Sequence, residues 1–529
     1  MGKSIGIDLG TTNTVVSYFD KKGRIKNLEF GQNYYLPSAI YFQTKNDYIF
    51  GDEAIDRGLV KPEALVRNFK SLMGSKEKIN IVAENGDKLK IPAKEIAKLL
   101  LVKVFDKATQ KIAKDFPGEF VDKAVITVPA KFSPQEKEAT KWAAERAGIE
   151  EVKLVTESTA AAVAYAEEYG IEKQVLIYDF GGGTFDVSLI EKVGEGYRDV
   201  VTPAGDKELG GNILTKRVMA YIFEKISDDL GIDMPLEEDD DGNLMPVDPR
   251  EYDEDDYEML EDVYYKNYIE IYQVANSLKE HLSEDSEYTD MLHININEED
   301  YKIFPIDFTR KRLMYILEDD IDKTIKIIDK FMQNGNIDSK DIGNIILAGG
   351  SSLIPAVQEK LSNYFKREVV LSKDTATLIS KGACLLTSKL DGVMELDQIL
   401  ANDIGILVSE GGMLRVFNPL IKAGTSYSKA TTEKYYQLTQ DGQRQLRVDL
   451  YERDVVNYSD VRRPGKGCTL IEELRINLPE GLKQNDTKIK LGFQITSEGI
   501  MKMGVTVQDY KGNTIVEEEA IYKSDDILN

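Results

Sequence analysis

Two stretches of this chain share one plan: Ile7-Asp8-Leu9-Gly10-Thr11-Thr12-Asn13 and Tyr178-Asp179-Phe180-Gly181-Gly182-Gly183-Thr184. In each, an apolar strand ends in aspartate, a turn of small residues follows, and a second β-rich strand returns. Such turns suit phosphate chemistry. Phosphate oxygens approach backbone N–H groups only where no bulky side chain intervenes, and threonine hydroxyls add donors. Magnesium on phosphates takes carboxylate oxygens, often through water, and Asp8 and Asp179 end the strands beside the turns. Two further glycine turns open helices: Leu209-Gly210-Gly211-Asn212, and Ala348-Gly349-Gly350-Ser351-Ser352 after an apolar strand. A helix start of that kind lets backbone pass close to a nucleoside and its phosphates. Taken singly, a glycine after a strand is most often only a turn, and an aspartate at a strand end most often a cap. The combination and its order are far more specific. The P-loop ending in Gly-Lys-Ser/Thr is absent, as is a dinucleotide-binding glycine fingerprint. The two hairpins, about 170 residues apart, imply two similar lobes facing each other across a cleft.

These turns need a scaffold. Strand-like runs cover 5–9, 15–19, 124–128, 174–179, 187–190 and 344–347, and helix-like runs cover 93–114, 134–147, 159–168, 213–230, 308–331 and 354–364. The alternation predicts an α/β region with mixed sheets from residue 3 to about 390. Ser133 before Pro134 reads as an N-cap with proline at the first helical position. The acidic stretch 237–262 reads as an exposed, solvated loop leading into a helix that ends near Leu282. Beyond residue 391 the pattern changes. Short alternating runs such as 445–451 and 489–495, separated by turns at Gly411-Gly412, Asp441-Gly442 and Gly512-Asn513, predict an all-β sandwich over 404–529.

Composition narrows the classes. A formal net charge of −25 over 529 residues disfavours nucleic acid and anionic membrane surfaces as partners. No apolar run reaches the ~20 residues of a membrane span, and the start reads as a strand rather than a secretory leader. Two distant cysteines, Cys384 and Cys468, and two histidines, His281 and His293, favour a reducing cytoplasm without disulfide or structural metal.

With these motifs in place the chain resembles the DnaK-like, seventy-kilodalton heat-shock chaperones. The resemblance rests on 5–13, on Val125-Ile126-Thr127-Val128-Pro129-Ala130, on 178–187, on Leu209-Gly210-Gly211 and on Ile346-Leu347-Ala348-Gly349-Gly350-Ser351. It covers about residues 3–390 by motif and 404–523 by pattern. It implies an actin-like (ribonuclease H-like) two-lobed ATPase domain over 1–390, a linker over 391–403 and a peptide-binding β-sandwich over 404–529. It implies ATP/ADP, Mg²⁺ and K⁺ as cofactors. Asp8, Asp179 and Asp186 would hold magnesium-bound waters, potassium and the attacking water. Gly10, Thr11, Thr12, Asn13, Gly181, Gly182, Gly183 and Thr184 would cradle the phosphates. Lys70 matches the lysine on the γ-phosphate and Glu157 the acid facing the attacking water. Gly210, Gly211, Lys279, Ser283, Gly349, Gly350 and Ser351 would surround the nucleoside. The implied partners are unfolded or extended polypeptide, a J-domain co-chaperone and a nucleotide-exchange factor.

Several positions depart from the family's pattern. Leu353 stands in place of an arginine that packs on adenine, Asn276 in place of a glutamate, Ser158 in place of a proline, and Lys137 in place of an arginine that couples the domains. Asp374 sits out of register. The linker, Val393-Met394-Glu395-Leu396-Asp397-Gln398-Ile399-Leu400, carries scattered apolar residues instead of a leucine run, which implies weaker or different coupling. The family's helical lid is expected to be absent, and Met413, Leu414 and Leu420 could line a peptide groove or pack in the core. An actin-like scaffold or filament protein, and an ATP-binding module that hydrolyses negligibly, are the alternatives. The β-rich C-terminal part speaks against the first, and the joint presence of Asp8, Lys70, Glu157, Asp179 and Thr184 against the second.

Overall fold

In the computed structural model the apolar runs become strands whose partners repeat one topology. Gly2–Leu9 pairs antiparallel with Asn13–Phe19 and parallel with Phe120–Val128, which pairs parallel with Glu151–Thr156. Gln174–Phe180 likewise pairs antiparallel with Phe185–Val193 and parallel with Ile342–Ala348, which pairs parallel with Val370–Leu371. The two aspartates hold equivalent places: Asp8 lies opposite Val15 and Thr127, and Asp179 opposite Asp186 and Ala348. Buried parallel strands need apolar side chains on both faces, and the burial of Ile5, Ile7, Ile126, Leu176, Ile177, Ile346 and Leu347 meets that need. The structure describes residues 2–171, 174–194, 196–239, 241–248, 262–297, 300–371, 375–389, 396–410, 413–455 and 467–521. Asp374, Val393-Met394-Glu395, Gly411-Gly412, residues 249–261 and the side chains of Met413 and Leu414 lie outside the described residues.

Helices Glu157–Tyr169 and Leu378–Lys389 join the two sheets. Their core takes Val125 and Val155 from the first sheet, Val175, Ile177 and Ile346 from the second, and Ala160, Ala161, Val163 and Leu386 from the helices. Close approach requires small residues. A Cβ on Gly382 would stand 1.8 Å from the carbonyl oxygen of Ala160, so any side chain there would force the helices apart. The helix Pro134–Arg146 begins as expected, with a capping box between Ser133 and Glu136.

Two sequence expectations need correction. The run 308–331 is not one helix: the strand Tyr301–Thr309 continues through Phe308, and helices Arg310–Ile316 and Glu318–Asn334 follow. Thr309 stops the strand by capping, its side chain accepting from Arg312 N–H. The acidic stretch is also not uniformly solvated. Leu236–Glu238 and Leu244–Pro246 form a hairpin. Arg217 binds Asp239 at 2.8 Å and Asp320 at 3.0 Å, while Met245, Val247 and Asp248 are buried. One guanidinium shared between two carboxylates offsets the charge density that argued against packing.

The C-terminal strands form two four-stranded antiparallel sheets. Alternation in Thr487–Ile495 turns Ile489, Leu491, Phe493 and Ile495 inward against Ile404, Leu450 and Ile471 of the facing sheet. Leu420 belongs to this core. The segment before the sandwich pairs through its main chain: Leu396–Asp397 adds a parallel edge strand to Gly196–Asp199. Lys137 meets the hydroxyl of Tyr427, Lys141 meets Glu498, and Lys131 lies 3.3 Å from Asp454.

Asp199 sits in this seam, accepting from Ile399 N–H at 3.1 Å. Burial pushes its carboxyl up from 3.8 to about 7, against the Ile399 hydrogen bond and the charge of Lys137, with Asp397 adding to the rise. A free Asp199 would return toward 3.8, so docking takes up a proton between about 3.8 and about 7. The docked arrangement is therefore favoured at low pH and loses stability as pH rises through that window. Small-angle scattering between pH 5 and 8 is expected to show the wild type expanding as pH rises, and Asp199→Asn to flatten that profile. An unchanged profile in the variant would mean another group titrates.

Candidate functional site

Four glycine turns converge. A Cβ on Gly182 would stand 2.0 Å from Thr12 Oγ1, and one on Gly183 2.7 Å from Thr11 Oγ1, so the turns of the two hairpins touch. Gly181 N–H donates to the Thr184 carbonyl at 3.0 Å, closing the second turn. The start of helix Gly211–Leu230 is tied to it: Gly211 N–H donates to the Gly181 carbonyl at 2.9 Å and Asn212 N–H to that of Gly182 at 2.7 Å. Ser351 Oγ donates to the same Gly181 carbonyl at 2.9 Å. Gly349 has φ 76°, and a Cβ there would lie 2.4 Å from the Phe180 carbonyl, which leaves glycine as the residue that fits.

Beneath the turns lies one ion pair among carboxylates. Lys70 Nζ donates to Glu157 Oε1 at 2.8 Å, both side chains buried. Lys70 comes from the 3-10 turn Phe69–Leu72, and Glu157 is the first residue of its helix, a place where the helix dipole favours a negative charge. Asp8 accepts from Thr127 Oγ1 at 3.0 Å. Its carboxyl is pushed up to about 7 by burial and then by Glu157, against Lys70 and Thr127. Burial, then Glu157, Asp186 and Asp8, push Asp179 well above the carboxylate range. Asp186 rises to about 7 through burial and Glu157, with Lys131, Lys207 and Lys70 opposing. Asp179 Oδ2, Asp186 Oδ1 and Thr12 Oγ1 are buried without a hydrogen-bond partner. Acceptors left open among crowded carboxylates make a place that a cation and its waters would satisfy. Among the described residues no three acidic, histidine or cysteine groups are close enough to hold an ion by themselves. A metal here would be held through water and through oxygens of its ligand.

Lys279 closes the other side. Its Nζ donates to the Gly211 carbonyl at 2.7 Å and to Thr215 Oγ1 at 2.8 Å, and burial draws it down to about 8. Ser283 donates to the Lys279 carbonyl at 3.0 Å within its own helix. Asn13 and Gly350 stand exposed at the margin. Asn276 accepts from Thr215 at 3.4 Å and donates to Glu280 at 2.9 Å. Sequence reasoning missed several supports. Ser38 Oγ donates to the Gly10 carbonyl at 2.8 Å, bracing the first turn, and Asn212 Nδ2 donates to Asn68 Oδ1 at 3.1 Å, linking the two halves. Nothing local marks these residues, since each acts on a partner far along the chain.

A mixed α/β body with duplicated hairpins and converging glycine turns defines the class. The chain matches the family described as Hsp70 protein over residues 4–241 and 257–528, and it belongs to that family. Its members are ATP-dependent chaperones.

Lys70 is the cation paired directly with Glu157. Removing one partner of a buried pair leaves the other charge uncompensated. Lys70→Met is expected to destabilise the ligand-free protein by about 3 kcal/mol in urea denaturation. A midpoint equal to that of the wild type would mean the pair is solvated.

Proposed function

We propose that the two hairpins grip ATP between the lobes of an actin-like ATPase, residues 1–390, and that the chain hydrolyses it with water as nucleophile. In this reading 391–403 is the linker and 404–529 binds extended apolar segments of unfolded polypeptide. The observation that carries it is the buried Lys70–Glu157 pair beneath two touching glycine turns.

Each residue has a role that its chemistry suits. Backbone N–H groups of Gly10–Asn13 and Gly181–Thr184 bind phosphate oxygens. Lys70 neutralises charge growing on the γ-phosphoryl oxygens, and Glu157 orients the attacking water and draws on its proton. Asp179 and Thr184 help to place that water. The bond to the β–γ bridging oxygen breaks, leaving ADP and phosphate. Asp8, Asp179 and Asp186 would hold magnesium, with potassium beside them. Bound magnesium adds neutralising charge to the phosphates. Gly210, Gly211, Lys279, Ser283, Gly349, Gly350 and Ser351 face the nucleoside. A J-domain co-chaperone and a nucleotide-exchange factor are the partners the family suggests, in the cytoplasm. Among the described residues no helix is long and apolar enough to cross a membrane.

Lys70→Ala is expected to abolish turnover while ATP still binds, measured by phosphate release and by equilibrium titration. Turnover like the wild type's would remove Lys70 from the reaction. An unfolded peptide is expected to stimulate the wild-type rate. No stimulation would leave an ATPase uncoupled from peptide, and sedimentation of a regular ATP-dependent polymer would favour a scaffold instead.

A further inference from the structure

Two departures from the family's pattern, Ser158 and the polar segment before the sandwich, meet on a single atom, the side-chain oxygen of Thr156. Thr156 caps the helix Glu157–Tyr169, accepting from Thr159 N–H at 3.2 Å. Its hydroxyl donates to Thr159 Oγ1 at 2.7 Å. Two further donors reach the same oxygen: Ser158 Oγ at 3.2 Å, and Gln398 Nε2, more than two hundred residues away, at 3.1 Å. All four residues are buried, between 2% and 4% exposed, so water does not relieve the crowding. A hydroxyl oxygen has two lone pairs. With the cap N–H holding one, Ser158 and Gln398 compete for the other.

The next residue along is Glu157, which grips Lys70. Gln398 is itself held from both sides. Its carbonyl accepts from Tyr427 N–H at 2.9 Å, and the neighbouring Ile399 N–H donates to Asp199 at 3.1 Å. Its amide therefore reaches Thr156 only while this segment lies between the second sheet and the sandwich.

We propose that Gln398 is a positioning residue for hydrolysis, acting through Thr156 on Glu157. Docked, it takes the second lone pair of Thr156 Oγ1 and fixes the first helical turn so that Glu157 faces the attacking water. Withdrawn, it leaves that lone pair to Ser158, the turn relaxes and hydrolysis slows. The proposal rests on the role of Glu157 given above.

The test is a double-mutant cycle on the full chain, read by single-turnover and steady-state ATP hydrolysis. Gln398→Leu is expected to lower kcat by about 3- to 10-fold, the worth of one neutral hydrogen bond. KM for ATP should stay within about twofold. In a Thr156→Val background Gln398→Leu should cost nothing further, whereas in Thr156→Ser, which keeps the hydroxyl, the full loss should return. The scattering profile should be that of the wild type throughout. An unchanged kcat, losses that add in the Thr156→Val background, or an expanded scattering profile would each overturn the role of Gln398 and leave the ATPase reading intact. A wild type that binds ATP without turning it over would overturn both.

Discussion

Everything at the centre of this protein depends on crowding carboxylates out of water around a single ion pair. Burial and the charge of Glu157 raise the proton affinity of Asp8, Asp179 and Asp186, and Lys70 is paired directly with Glu157. Such an arrangement is unfavourable by itself, because buried charge is costly unless it is paired or coordinated. It would become favourable if a cation and a polyanion arrived together. In the proposed reading the glycine turns would offer N–H groups to the anion, and the open oxygens of Asp179 and Asp186 would accept from the cation's waters.

Holding that crowd together takes a stiff support, and the duplicated topology provides it. Each half places its aspartate at the end of the same kind of strand, flanked by a returning hairpin strand and a parallel neighbour. The two helices between the sheets lie close because Gly382 and the alanine run from Ala160 present almost nothing to separate them. Tight packing of this sort transmits displacement rather than absorbing it.

The connection to the sandwich includes several directed bonds. Main-chain pairing of Leu396–Asp397 with Gly196–Asp199, the buried carboxyl of Asp199 and the amide of Gln398 hold the segment by directed bonds. Directed bonds are specific in register and sensitive to protonation, whereas apolar contact depends on little but area.

The sequence alone was enough for the parts that are local in chain or in pattern. Strand, turn and capping chemistry lie within a few residues, so the hairpins at Asp8 and Asp179, the Ser133 cap and the sandwich alternation could be read directly. A lysine and a glutamate such as Lys70 and Glu157 became legible only through family motifs, because nothing in their own neighbourhoods tells a buried ion pair from surface charge. Other features belong to the tertiary structure: that the turns of the two hairpins touch, that Arg217 pulls an acidic hairpin inward, and that Thr156 shares its hydroxyl with Gln398. Each depends on which distant residues folding brings within about 3 Å of one another. Spacing along a chain sets local conformation, but only packing decides which remote polar groups must satisfy each other away from water.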